Sequence, residues 1–107
     1  MKIRLTQEAE IEGYDGAFLR YVSSDGKESA RGIRDTWFEA TATNENGDDY
    51  RVFWKLKDDF DIESEHDYEY ACDWYRPYMI LDDDGKNVID GIPFTARYEK
   101  CDLVYTL

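Results

Sequence analysis

With 107 residues, 25 acids against 13 bases and a formal net charge of −12, the chain reads as one acidic domain. That charge excludes direct binding to nucleic acid or to an anionic membrane, both of which need a positive footprint. Aromatic residues make up 16% of the chain, which excludes the ring-poor composition of acidic disorder and favours strands.

Residues Ile3 to Ile11 alternate. Ile3, Leu5, Ala9 and Ile11 are apolar, with Arg4, Thr6, Glu8 and Glu10 between them. A period of two predicts a half-buried strand, broken once on its apolar side by Gln7. Gly13 and Asp15-Gly16 then punctuate the chain. Ala17 to Val22 predicts a second short strand, and Ser23-Ser24-Asp25-Gly26-Lys27 a turn. Residues 27 to 35 are polar and irregular, as in a loop or a sheet edge. The clearest signal is a hairpin, from Trp37–Thr43 through a polar turn centred on Asn46-Gly47 into Tyr50–Leu56.

Further on, Tyr78–Leu81, a turn at Asp82–Lys86 and a return at Asn87–Ile89 predict a smaller hairpin. Strands are expected from Phe94 to Tyr98 and from Leu103 to Leu107. The absence of a long 3.6-residue period leaves room for a short helix within residues 63 to 75 or in the N-terminal segment. The expected fold is mainly β, a small antiparallel sheet, barrel or sandwich with at most one or two short helices, and α+β is the alternative. The N-terminus shows no apolar leader core, and no run approaches the ~20 apolar residues of a membrane helix, so the expected location is a cytoplasm. Cys72 and Cys101 are the two cysteines. In a reducing compartment they are expected to be small buried groups, with a bridge between them left open.

The charge is unevenly distributed. Asp58, Asp59, Asp61, Glu63, Glu65, Asp67, Glu69, Asp73, Asp82, Asp83 and Asp84 face the single base Arg76, so residues 58–84 carry −10 of the −12. Asp61, Glu63, Glu65, Asp67 and Glu69 occupy alternate positions. In an extended chain they would form a row of carboxylates roughly 6.6–6.8 Å apart. Ile62, His66, Tyr68, Tyr70 and Cys72 would face the core behind them. Such a row costs stability, because the repulsion is only partly screened at physiological salt. The plain alternative is a solvated acidic loop.

No catalytic motif is present: there is no Gly-x-Ser-x-Gly, phosphate-binding or dinucleotide-binding glycine pattern. Asp82-Asp83-Asp84-Gly85 departs from a calcium loop, whose ligands alternate and whose twelfth position is Glu, whereas that position here is Pro93. His66, Cys72 and Cys101 lack zinc-ligand spacing. No cofactor, metal or catalytic residue is therefore expected. His66 would be held protonated by its acidic neighbours. Trp74, Tyr75 and Tyr78, beside Arg76 and Pro77, have the composition of interface anchors if exposed.

Phe38-Glu39-Ala40-Thr41-Ala42, Gly47-Asp48-Asp49-Tyr50-Arg51-Val52-Phe53-Trp54 and Cys72-Asp73-Trp74-Tyr75-Arg76-Pro77 together resemble small uncharacterised acidic proteins of phages and other mobile elements. The wider company of such proteins includes anti-restriction and anti-CRISPR inhibitors that mimic DNA. The resemblance implies a non-enzymatic inhibitor whose partner is a basic nucleic-acid-binding protein, such as an RNA-guided CRISPR nuclease or a restriction enzyme. In that role the row from Asp61 to Glu69 would replace phosphates, supported by Asp58, Asp59 and Asp82–Asp84. The alternative is a structural or regulatory interaction domain using the Trp74–Tyr78 aromatics.

Overall fold

The two runs richest in strand formers set the frame. In a computed structural model describing residues 1–64 and 67–107, Glu28–Asn44 (β3) and Asp49–Lys55 (β4) pair antiparallel from Trp37↔Lys55 to Thr43↔Asp49. Asn44 builds the connecting turn: its side-chain carbonyl accepts the N–H groups of Asn46 and Asp48, each at 2.9 Å. Its amide donates to Asp48 and Tyr50, and Gly47 supplies the left-handed residue at φ 83°.

The other strands are β1 (Lys2–Leu5), β2 (Glu10–Val22), β5 (Met79–Leu81), β6 (Thr95–Glu99) and β7 (Asp102–Thr106). They form one antiparallel sheet in the order β5-β4-β3-β1-β7-β6, with β2 also on β3. The mainly β expectation holds. The helical contribution among the described residues is one 3-10 turn, Tyr68–Tyr70, inside the window where a short helix had room.

Both faces of the central strands are buried. Phe38, Ala40, Ala42, Tyr50, Val52, Trp54 and Ile80 join Ile3, Leu103 and Tyr105 on one face. Trp37, Phe53, Met79 and Leu81 join Ala17, Tyr21 and Ile33 on the other. This explains why Val52-Phe53-Trp54 is apolar without alternation.

Two boundaries differ from the sequence expectation. The alternating Ile3–Ile11 segment is two strands, parted at residues 6–9, where Gln7 interrupts the apolar side. Gly13 and Gly16, expected to end a strand, lie inside β2. Gly13 pairs with Thr36 and Phe18 with Arg34, so β2 takes five steps against two in β3. Left-handed Gly13, Gly16 and Asp35 absorb this bulge, and the Asp35 carboxylate accepts the Gly16 N–H at 2.9 Å. The outer β2–β3 arm thereby packs Ala17, Tyr21 and Ile33 over the second face. Its end is tied to the turn after β5, where the Val22 N–H donates to the Gly85 carbonyl at 2.8 Å and the Asn87 N–H to the Val22 carbonyl at 3.2 Å. Residues 28–35 are the first half of β3 rather than a loop; most of their side chains face solvent, which is why they read as irregular. The expected Asn87–Ile89 return is reduced to a single bridge, Leu81↔Asn87.

Gly13 and Gly47 separate strain from collision. A Cβ at Gly13 would lie 2.1 Å from the Asp35 carbonyl oxygen, whereas one at Gly47 meets open space. Urea denaturation is expected to show Gly13→Ala losing more than ~2 kcal/mol and Gly47→Ala about 1 kcal/mol. Equal losses would remove the bulge from its place as the bend of the arm.

Candidate functional site: an acidic loop and an aromatic groove

After β4 the chain makes an excursion whose ends meet, the Lys57 N–H donating to the Ala71 carbonyl at 2.8 Å. Residues 57–64 and 67–71 thus belong to a surface loop of the kind closed at its neck. Its acids build turns. Asp58 and Asp59 sit in a turn closed from Phe60 N–H to Lys57 carbonyl. Asp61 accepts the Glu63 N–H at 3.0 Å, and that bond, helped by Ser64, holds its carboxyl below the usual range. Asp67 caps the 3-10 turn by accepting the Glu69 N–H. Just past the loop, Asp73 accepts the Tyr75 N–H. Asp readily bonds to the backbone two residues on, and here that local chemistry overrides the alternating pattern.

Among the described residues, Asp61, Glu63, Asp67 and Glu69 therefore do not lie along an extended strand. Glu65 and His66 lie outside the described residues. Tyr70 is 66% exposed rather than turned into a core, whereas Tyr68, 39% exposed, sets its ring edge-on to buried Phe38 at 5.8 Å. The acids of residues 58–64, Asp67 and Glu69 are all exposed, but on a folded loop rather than along a strand.

Asp82, Asp83 and Asp84 do not join them. The loop leaves β4 at Lys55, whereas the Arg51↔Leu81 register carries residues 82–84 toward the Asp49 end. At ~3.4 Å per residue the two acidic groups sit roughly 20 Å apart along the strand direction. Asp82 organises its own turn, accepting the N–H groups of Asp84 and Lys86 at 2.9 Å each. Asp48, Asp82 and Asp83 lie close enough to Tyr50 to add to the rise that burial causes in its pKa.

Trp74 is not an exposed anchor. It is half-buried, with its ring edge-on to Phe38 and to Trp54 at 5.3 Å from each. Its indole N–H donates to the Glu69 carbonyl at 2.7 Å, and its own carbonyl accepts from both Trp54 and Tyr105. Tyr75 is 50% exposed, as expected of a contact residue, and meets Tyr98 edge-to-face at 6.0 Å. Both cysteines are free. Cys72 is buried as expected, whereas Cys101 is exposed, held in the tight β6–β7 turn with φ 72°.

No motif in the sequence marks the groove beside this loop. Where β1 and β2 part at residues 6–9, a hollow of about 770 Å³ opens between that kink, residues 68–74 and the β6–β7 hairpin. Buried Phe38 and Trp54 form its floor; Tyr68, Trp74 and Tyr98 stand around it. Among the described residues its charged lining is Glu8, Glu69 and Asp102, with no Lys or Arg. The nearby bases are engaged elsewhere: Lys2, Arg4 and Arg97 surround Glu99 at 2.8–3.3 Å, and Arg4 also reaches Asp102 at 3.5 Å. Those hydrogen bonds, from Arg97 first and Lys2 next, lower the Glu99 pKa. The Gln7 break in the apolar alternation is the one trace that this groove leaves in the sequence.

Among the described residues no three His, Cys, Asp or Glu side chains are grouped to hold a metal ion, and no helix is long and apolar enough to cross a membrane. Comparisons with protein families, curated proteins and solved structures return no match to this chain.

Burial pushes the Cys72 thiol from 9.0 up to about 12, opposed in part by Lys57, and burial also raises the Tyr105 phenol. In the unfolded chain both ionise at lower pH than in the folded one. Their contribution is therefore full below the unfolded thiol value of 9.0 and is lost as pH rises from there toward the folded value of about 12. Urea midpoints are expected to fall between about pH 9 and about pH 11, and by less in Cys72→Ala. A native thiol assay should titrate Cys101 at once and Cys72 only after unfolding; equal rates would contradict the burial.

Proposed function

We propose that this chain is a non-enzymatic binding protein that captures a basic protein surface of the kind nucleic acid occupies, as in an RNA-guided CRISPR nuclease or a restriction enzyme of a phage's bacterial host. The observation that carries this reading is the set of exposed carboxylates Asp58, Asp59, Asp61, Glu63, Asp67 and Glu69 on one compact loop, none of them in an ion pair among the described residues. A carboxylate cluster without internal partners repels itself, and a basic partner relieves that cost on contact. The mechanism is not a ruler of evenly spaced charges. It is a dense acidic loop at one end of the β4–β5 ladder and a second acidic turn, Asp82–Asp84, at the other, offering two holds on an extended basic groove. A partner built to neutralise phosphates would meet both with fast, salt-sensitive association.

A second reading is an interaction domain driven by rings. It is favoured by the exposure of Tyr70, Tyr75 and Tyr98, at 66%, 50% and 57%. It replaces Trp74 with tyrosines as the contact residues and predicts weak salt dependence.

The discriminating variant is Asp58→Asn with Asp59→Asn and Glu63→Gln, which leaves the turn-forming Asp61 and Asp67 in place. In a DNA-cleavage inhibition assay against purified restriction and CRISPR nucleases, the wild-type chain should inhibit, and added DNA should relieve inhibition. The variant should lose at least ~tenfold in potency while its urea midpoint stays level or rises. Undiminished potency of the variant, or inhibition indifferent to salt, would reject the charge mechanism in favour of the tyrosines.

A further inference from the structure

We infer that the groove beside the loop receives a cationic side chain, an arginine for preference, from an extended basic segment of the partner. The inference rests on the proposed basic partner and specifies where that partner is read rather than merely attracted. Its ground is the combination of wall chemistry and charge. Phe38 and Trp54 close the floor, Tyr68, Trp74 and Tyr98 present rings around it, and Glu8, Glu69 and Asp102 supply the charge, with no base among the described residues that line it.

Each feature selects against other occupants. A neutral apolar ligand would leave Glu8 and Glu69 without a counter-charge, and an anion would be repelled by them. A hydrated metal ion would find aromatic walls where it needs oxygen donors, and no group of three metal-binding side chains is present among the described residues. A guanidinium satisfies both halves of the site, because its flat face stacks on rings while its edge donates to carboxylates. A hollow of about 770 Å³ has room for such a side chain together with the backbone that carries it.

The fold keeps the site open to this use. Tyr98 is 57% exposed and Tyr68 39%, so rings that a closed core would have covered remain accessible. Tyr98 and Ala96 pair with Leu103 and Tyr105 of β7, while Arg97 and Glu99 alternate to the other side of β6. Arg97 bonds Glu99 at 2.8 Å there, which keeps the strand's own cation engaged away from the groove. Asp102 is already shared with Arg4, which leaves Glu8 and Glu69 as the carboxylates for a guest.

The test is calorimetric titration of the full chain with an arginine–glycine repeat peptide, its lysine counterpart and its citrulline counterpart, the last matching arginine in shape without charge. Tryptophan emission is followed in parallel. The arginine peptide should bind and perturb the emission, the lysine peptide should bind more weakly, and the citrulline peptide should be at least ~tenfold weaker. Tyr98→Ala, and separately Glu8→Gln with Glu69→Gln, should each weaken the arginine peptide by ~fivefold or more. Asp83→Asn with Asp84→Asn, at the far end of β4, should change it less than ~twofold. Urea midpoints of all variants check that they fold. If the arginine peptide binds but only the loop variant Asp58→Asn, Asp59→Asn, Glu63→Gln weakens it, the groove assignment is overturned and the basic-partner reading stands. If no cationic peptide binds the wild-type chain, both are overturned.

Discussion

The carbonyl oxygen of Trp74 holds the functional face together. It accepts the indole N–H of Trp54 at 3.1 Å and the hydroxyl of Tyr105 at 2.5 Å, two donors from strands β4 and β7, and the Tyr105 oxygen in turn also accepts the Trp54 N–H at 3.2 Å. Leaving either unmet would cost ~1–3 kcal/mol. The Trp74 indole in turn donates to the Glu69 carbonyl. One residue thus pins the end of the acidic loop to the strands beneath it, and the rings of Phe38, Trp54 and Trp74 meet edge-on around that pin. Without this latch, a loop dense in like charges would have little reason to stay against the sheet.

The groove follows from a second constraint. One side of β3 serves two partners, β1 at residues 42–44 and β2 from Glu39 back to Glu28. Because β1 also pairs with β7, the N-terminal segment must leave β3 and return to it, and the kink at residues 6–9 is where it does so. The latched loop stands across from that kink. Two unrelated needs, pairing β1 with β7 and covering the face that holds Trp54, therefore leave a hollow between them, lined by whatever each element carries. Both carry acids, Glu8 on one side and Glu69 on the other, and bases are kept away by the cluster around Glu99.

Sequence reasoning reached the architecture where a strand's own pattern decides its state. Trp37–Thr43 and Tyr50–Leu56 are strand formers around a turn that Asn44 and Gly47 can close by themselves, and they pair as their composition implies. Local pattern does not determine structure where distant contacts decide. The alternation of Asp61, Glu63, Glu65, Asp67 and Glu69 was compatible with a strand, but no neighbouring strand was there to bond it. The Asp side chains then captured nearby N–H groups, and Tyr68 and Trp74 set the path of the chain. In Gly13-Tyr14-Asp15-Gly16 the glycines looked like a strand end because a turn and a bulge need the same left-handed residues. Only the partner strand distinguishes them. Trp74 beside Tyr75 looked like two exposed anchors, yet only Tyr75 is exposed, because the face beneath the loop needed one large ring to fill it. The groove was invisible because its lining comes from five separate stretches of chain, brought together by the kink and the latch.

The most direct test of the latch is amide hydrogen exchange in Trp74→Phe, which keeps a ring of similar shape and removes the donor to the Glu69 carbonyl. The neck amides of Lys57 and Ala71, both hydrogen-bonded in the closed loop, should exchange at least ~tenfold faster. The β3–β4 amides of Ala40 and Val52 should keep their wild-type protection. Unchanged protection at Lys57 and Ala71 would mean that the loop holds its place without Trp74. The acidic face and the groove would then need another origin.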